Sequence, residues 1–267
     1  MKIIKSLILL NFFFLFFSGP ISAEPKWLEE RSRHFIIYYQ EGIDWGFLSE
    51  TVYYAEKFYD DITENLGFRR YDFWLWEKRA RIYIYKDKET YVKATGMPEW
   101  SGGRAIYEQK IIESFPWAKG FFSQLLAHEL GHIIFREFVG PQAKVPMWFE
   151  EGVASSQETE RYRLNREKTL VHALKKQSLI SLVNLTKIDP RRIQDEYTAT
   201  LFYAQAESLV RFLVDKFGKY EFVKLCRLIR DYKDFSVALP KAYPRYEKLE
   251  DLDKDWTEFV RSNLIHK

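Results

Sequence analysis

Cysteine is nearly absent from this sequence. Cys226 stands alone, so no intramolecular disulfide can form. Its setting, YEFVKLCRLIRDY, reads as a helix in which the thiol is a small buried apolar group. A dominant sign of charge is also missing: 41 Lys+Arg face 38 Asp+Glu, and two of the surplus positives, Lys2 and Lys5, sit at the extreme N-terminus. The remainder is close to neutral, which gives no sign of a nucleic-acid-binding surface. Internal repeats are lacking, as are low-complexity stretches beyond the first residues. No segment after those residues is apolar enough to span a bilayer. What remains is 46% hydrophobic and 18% aromatic, ample for a substantial core and far from a disordered composition.

The one long apolar run lies in MKIIKSLILLNFFFLFFSGPISAEPKW. Lys2 and Lys5 precede apolar residues from Leu7 to Phe17, and Ser18, Gly19 and Pro20 break the run, the pattern of a secretory signal with cleavage after Ala23. Asn11 interrupts the run, which falls short of the ~20 residues a membrane span needs. No cysteine near the cleavage site offers a lipid attachment point. The expectation is an exported chain, periplasmic or secreted, with residues 1–23 as signal peptide and no stable membrane span after its removal.

In the remainder, HFIIYYQ (34–40) and ARIYIYK (80–86) have the β-branched and aromatic content of strands, and FLSETVYYAEKFYDDITENLGF (47–68) has helical spacing. KETYVKATG (88–96) reads as a short helix stopping at Gly96. RAIYEQKIIES (104–114) reads as one strand or a hairpin of two, with either an edge or an interior place in the sheet. From Trp117 onward the pattern is helical, broken at VGPQAKVP (139–146), KIDP (187–190) and KFGKY (216–220), and no strand candidate follows Ser114. The charge-rich segment RYRLNREKTLVHALKKQ (161–177) reads as a solvated helix face. The fold class expected is α+β: a small mixed sheet with a helix first, then a helical bundle.

At the junction stands SQLLAHELGHIIFREF (123–138), whose apolar residues follow a helical period. On such a helix His128 and His132 lie one turn apart on one face, a spacing suited to tetrahedral zinc. Glu129 is displaced around the helix and is placed to take a proton from an activated water. An open catalytic site needs a third protein ligand. Glu150 and Glu151 are the candidates: Pro146 can open a new helix, and Trp148 and Phe149 can anchor it to the core. Ordinary helix histidines at a coincidental spacing are the competing reading.

His128-Glu129-Leu130-Gly131-His132 followed by Trp148-Phe149-Glu150-Glu151-Gly152-Val153-Ala154 resembles the gluzincin metallopeptidases, and within them the mostly bacterial peptidase MA-like domains. The resemblance covers His34 to about Trp256. It implies a zincin-like fold, with residues 24–267 as a single domain divided into a sheet part (24–115) and a helical part (116–267). It also implies one zinc ion on His128, His132 and Glu151, with Glu129 as general base. Glu151, 19 residues after His132, matches the ligand position of the related aminopeptidases, and Glu150 stands where they carry asparagine. The other glutamate can orient a histidine ring. Ser155 departs from relatives that carry a histidine-orienting acid there. YTATLFYAQAESLVRFLVDKFGKYEFVKLC (197–226) resembles a family helix of the type Tyr-x-Gln-x-x-x-x-Val-x-x-Leu, and LEDLDKDWTEFV (249–260) resembles the terminal helix. Tyr203 on the former is the first candidate for an oxyanion donor, Tyr197 the second, with Arg104 and His172 as further possibilities. A packing role competes for each tyrosine.

The reading is therefore an exported zinc-dependent metallopeptidase acting on a peptide or protein substrate. The Gly-x-Met-Glu-Asn element that anchors a free amine in the related aminopeptidases is missing, and GMPEW (96–100) has only a superficial likeness to it, which favours endopeptidase action. The alternative is a catalytically inactive zinc-fold binding protein of the cell envelope. The intact Glu129 argues against it, since a structural site has no need of a base. A membrane-surface role rests only on the leader and the aromatic content. The sequence sets no oligomeric state.

Overall fold

Strand-forming residues near the N-terminus build a sheet, and the periodic segments after it stack against one of its sides. The computed structural model describes residues 26–68, 74–99, 101–116 and 120–264; the expected signal peptide lies outside them. β1 (Trp27–Arg31), β2 (Phe35–Gln40), β3 (Ala80–Ile84), β4 (Gly103–Ile106) and β5 (Ile111–Ser114) form one sheet in the order β1-β2-β3-β5-β4. The central pairs β2/β3 and β3/β5 are parallel and the outer pairs antiparallel. The sequence reading did not include β1. Its WLEER carries three charged side chains in five residues, a composition that edge strands use to discourage further pairing but that hides the strand pattern.

RAIYEQKIIES is a hairpin, and its two halves divide the edge and interior alternatives between them. β4 is the sheet edge; β5 lies between β3 and β4, with all four residues buried. A 3-10 turn at Tyr107–Gln109 joins them and closes at Lys110, whose φ of 52° is left-handed.

α1 (Trp45–Asn65) is capped by Asp44, whose carboxylate accepts the Phe47 N–H at 3.0 Å, and it buries Leu48, Ala55, Phe58, Tyr59 and Ile62. α2 (Lys88–Thr95) ends at Gly96 as the sequence requires, with φ of 68° at the glycine. After the sheet, the HELGH segment enters through a π turn at Phe121–Leu125 and continues as α3 (Leu126–Val139). Then follow α4 (Met147–Ser155), α5 (Glu160–Lys175), α6 (Leu182–Leu185), α7 (Glu196–Tyr232), α8 (Phe235–Ala242) and α9 (Leu249–Leu264). α7 is broken at Gly218 (φ 83°, ψ 161°), inside the expected KFGKY break. Among the described residues the only β pairing after Ser114 is an isolated bridge between Lys144 and Asp234. The architecture is α+β, as expected. Among the described residues, no helix is long and apolar enough to cross a membrane.

The glycines of HELGH and EEG explain how the helices come together. A Cβ on Gly131 would stand 2.9 Å from Ala154 Cα, and one on Gly152 would stand 2.2 Å from the Ala206 carbonyl oxygen. α4 is thus wedged between α3 and α7 at backbone contact distance, and its own Trp148 and Phe149 are fully buried. Gln205 ties the same face of α7 to the chain before α6. Its amide accepts the Ile180 N–H and donates to the Ile180 carbonyl, both at 2.8 Å, which gives the glutamine of the Tyr-x-Gln pattern a structural purpose.

Gly152→Ala puts a methyl group into the Ala206 backbone, so the helices must part. Overpacking of this kind costs about 1–3 kcal/mol, and each kcal/mol lowers the melting temperature of a domain this size by roughly 2–4 °C. Calorimetry of the purified variant should show that fall; an unchanged transition would mean that α4 is free to move away from α7.

Candidate metal centre

One helical turn separates His128 from His132 on α3, and the small-residue crossing brings Glu151 of α4 over both. His128 Nε2 and His132 Nε2 lie 3.1 Å apart, and each lies 3.4 Å from Glu151 Oε2. Ligand atoms held ~2.0–2.1 Å from a tetrahedral ion stand about 3.3 Å from one another, so the triangle has the size such an ion requires. These three residues form the metal-compatible cluster among the described residues.

The outer ring nitrogens decide what the triangle presents. His128 Nδ1 lies 2.8 Å from the Glu158 carboxylate, an acceptor-only partner, so the ring N–H is on that side and Nε2 offers a lone pair inward. His132 Nδ1 stands 3.6 Å from Glu150 Oε1, just beyond hydrogen-bond length, with the carboxylate on the same side of the ring. Arg136 fixes Glu150 with a two-point contact, Nε donating at 2.7 Å and Nη2 to the second oxygen, while Nη1 donates to the Ala143 carbonyl at 3.1 Å. Two ring nitrogens and a carboxylate oxygen therefore converge on one point, an arrangement that protons on the rings or a bound cation would relieve. The titration shifts have the same origin. Burial disfavours a charged imidazole at His128, yet Glu151 and Glu158 outweigh it and hold the ring up to about 10; His132 is raised by Glu150 and Glu151 against the same penalty. Glu151 is held far below the usual carboxylate range, its own burial overcome by the two histidines.

Glu150 and Glu151 thus separate cleanly. Glu151 points into the triangle, and Glu150 supports His132 from behind. Glu129 stands outside the triangle and lines an open cleft of about 630 Å³ with His128, Tyr162, Thr200 and Tyr203. Tyr203 is accordingly brought to the site, its phenol pushed up by burial and by the negative charges of Glu151 and Glu129. The other proposed donors are elsewhere. Tyr197 shares a hydrogen bond with Ser178 at 3.3 Å and a ring contact with His172 at 6.1 Å. Arg104 is engaged by Glu113 at 2.5 Å and by the Thr95 carbonyl.

Two contributors escaped the sequence reading. Glu158 was one: at position 155, where the resemblance leads one to expect a histidine-orienting acid, Ser155 is buried with its hydroxyl unpartnered, and the acid beside His128 comes from the turn after α4. Tyr107 was the other. Its ring stacks on His132 (centroids 5.1 Å apart, 27° between planes) at the wall of a second cleft, about 770 Å³, shared with His132, Met147, Glu151 and Arg191. Nothing in RAIYEQKIIES marks that tyrosine, because its position depends on how the β4–β5 hairpin folds over α3. The expected solvated face of α5 also needs correction at Arg166. That side chain is only 12% exposed and reaches Glu158, because it continues the stripe of buried Leu170 and Ala173 on the helix.

A family model described as Peptidase MA superfamily matches residues 75–262, a span that includes His128, Glu129, His132, Glu151 and Tyr203. No curated protein matches the chain.

The geometry separates two neighbouring glutamates experimentally. Glu151→Ala should lower the affinity for a divalent metal by more than the ~10–100-fold that loss of a supporting contact costs, and Glu150→Ala by no more than that range. Chelator competition on the purified variants measures both, and the reverse order would exchange the two roles.

Proposed function

The chain belongs to the peptidase MA superfamily, and from that membership we propose that it is an exported zinc-dependent metallopeptidase cleaving within peptide chains. One observation carries the reading: three converging ligand-type atoms at tetrahedral spacing, with Glu129 beside them but outside their triangle. Zinc held by His128, His132 and Glu151 would polarise the scissile carbonyl and acidify the attacking water.

The chain's own groups would do the rest. Glu129 takes a proton from the attacking water on its carboxylate and hands it to the leaving amine, the two-way task of a general base placed next to the reacting atoms. The Tyr203 phenol O–H donates toward the oxyanion as charge develops on the carbonyl oxygen. Glu158 and Glu150 keep the two imidazoles oriented. Substrate would lie in extended form along β4, the free edge of the sheet, as an added strand. Clefts on both the Glu129 side and the Tyr107 side of the triangle leave room for residues before and after the scissile bond, which supports endopeptidase rather than aminopeptidase action. Export rests on the N-terminal leader pattern alone.

Glu129→Gln should abolish hydrolysis of internally quenched, end-blocked peptides while zinc stays bound at one equivalent, and a chelator should abolish wild-type activity reversibly. Full hydrolysis by Glu129→Gln would remove this mechanism. Zinc and peptide binding without any wild-type turnover would mark the protein as a binding module. Tyr203→Phe should lower kcat by about 10²–10³-fold with a smaller change in KM. The same loss in Tyr107→Phe, with Tyr203→Phe unaffected, would move the oxyanion role to the second cleft.

A further inference from the structure

Behind His128 runs a chain of buried charged groups that neither the metal ligands nor the general base account for. Glu158, whose side chain is 1% exposed, accepts from His128 Nδ1 at 2.8 Å and from Arg166 Nη2 at 2.7 Å. The other terminal nitrogen of Arg166, Nη1, donates to Glu207 Oε2 at 3.1 Å and to the Ser155 carbonyl at 3.3 Å. Glu207 belongs to α7 and its side chain is 5% exposed. One guanidinium on α5 therefore joins three pieces of chain: the last residue of α4, the turn that carries Glu158, and the middle of α7.

We propose that Arg166 is a positioning residue of the metal centre, holding Glu158 against His128 and locking that contact to α4 and α7. The proposal rests on the zinc-site reading above. Its argument is geometric. A carboxylate with only 1% of its side chain exposed needs a cationic or hydrogen-bonding partner on each oxygen to offset the loss of hydration. His128 serves Oε1 and Arg166 serves Oε2. Without Arg166, Glu158 has one oxygen without a partner and turns toward the open cleft it lines, and His128 Nδ1 loses the acceptor that keeps its proton on the outer side. The Nε2 lone pair is then no longer committed to the triangle. The same guanidinium holds the C-terminal carbonyl of α4, the helix that bears Glu151, so its loss loosens two ligands at once. Glu207 matters because it engages the second arm of the fork and thereby fixes the plane of the guanidinium. A lysine at 166 offers one compact charge and cannot span Glu158 and Glu207 together.

The test is zinc affinity of the purified protein by chelator competition, with the melting temperature of the metal-free protein measured alongside. Arg166→Met, Arg166→Lys and Glu207→Gln are compared with wild type. Arg166→Met should weaken zinc binding by roughly 10–100-fold, the range for groups that orient a metal-bound histidine. Arg166→Lys should fall between it and wild type, and Glu207→Gln should show a smaller loss. If Arg166→Met fails to fold, the lysine variant carries the comparison. A lowered melting temperature with zinc affinity unchanged in every folded variant would reveal a purely structural arginine and overturn the proposal, leaving the metal centre intact. A wild-type protein that binds no stoichiometric zinc would overturn the metal-centre reading and this proposal together.

Discussion

Two imidazole nitrogens and a carboxylate oxygen held within 3.4 Å of one another form the constraint around which the helical half is organised. With all their lone pairs turned inward, such atoms repel unless a proton or a cation lies among them. They stay together because their helices cannot move apart: Gly131 and Gly152 admit α4 to backbone contact with α3 and α7, and Trp148 and Phe149 bury the outward side of that wedge. A rigid, close-packed crossing stores the arrangement that a cation then makes favourable. The energy for this comes from the apolar residues around the crossing, not from the site.

Charge is managed by pairing instead of exposure. Glu150 with Arg136, and Glu158 with Arg166, are buried ion pairs, each adjoining one of the two histidines. Such pairs gain little over apolar packing, yet removing one partner costs about 3–5 kcal/mol because the other is left uncompensated. Their value here lies in direction. An arginine fork binds a carboxylate in a defined plane, and the carboxylate in turn fixes a ring nitrogen. Each histidine thus has an arginine-held carboxylate on its outer side, one arginine from α3 and one from α5, in hydrogen-bond contact at His128 and 3.6 Å away at His132.

The sheet contributes by its outermost hairpin. β5 anchors it inside the sheet, so β4 is left as a free edge and the intervening turn sets Tyr107 on His132. The two clefts on either side of the ligand triangle follow from this placement, one walled by the hairpin turn and the other by α5 and α7.

Local pattern was enough for the strands at 35–40 and 80–84, the stop at Gly96, the break at Gly218 and the ligand-bearing helix, since each depends on neighbours in sequence: alternation, a left-handed glycine, or a one-turn spacing. β1 was illegible because an edge strand need not show an apolar face. The choice between Glu150 and Glu151 came from a resemblance; the orientation of α4 turns Glu151 toward the two Nε2 atoms and leaves Glu150 behind His132. Glu158, Arg166 and Tyr107 had no comparable signal. They come from a turn, a charged helix and a hairpin, and they meet the histidines only because those segments pack against α3. Helical spacing is local, so the order of residues already marks which side chains could hold a metal; which groups orient them follows from how the chain packs, because hydrogen bonds to a buried ring depend on the relative placement of whole elements.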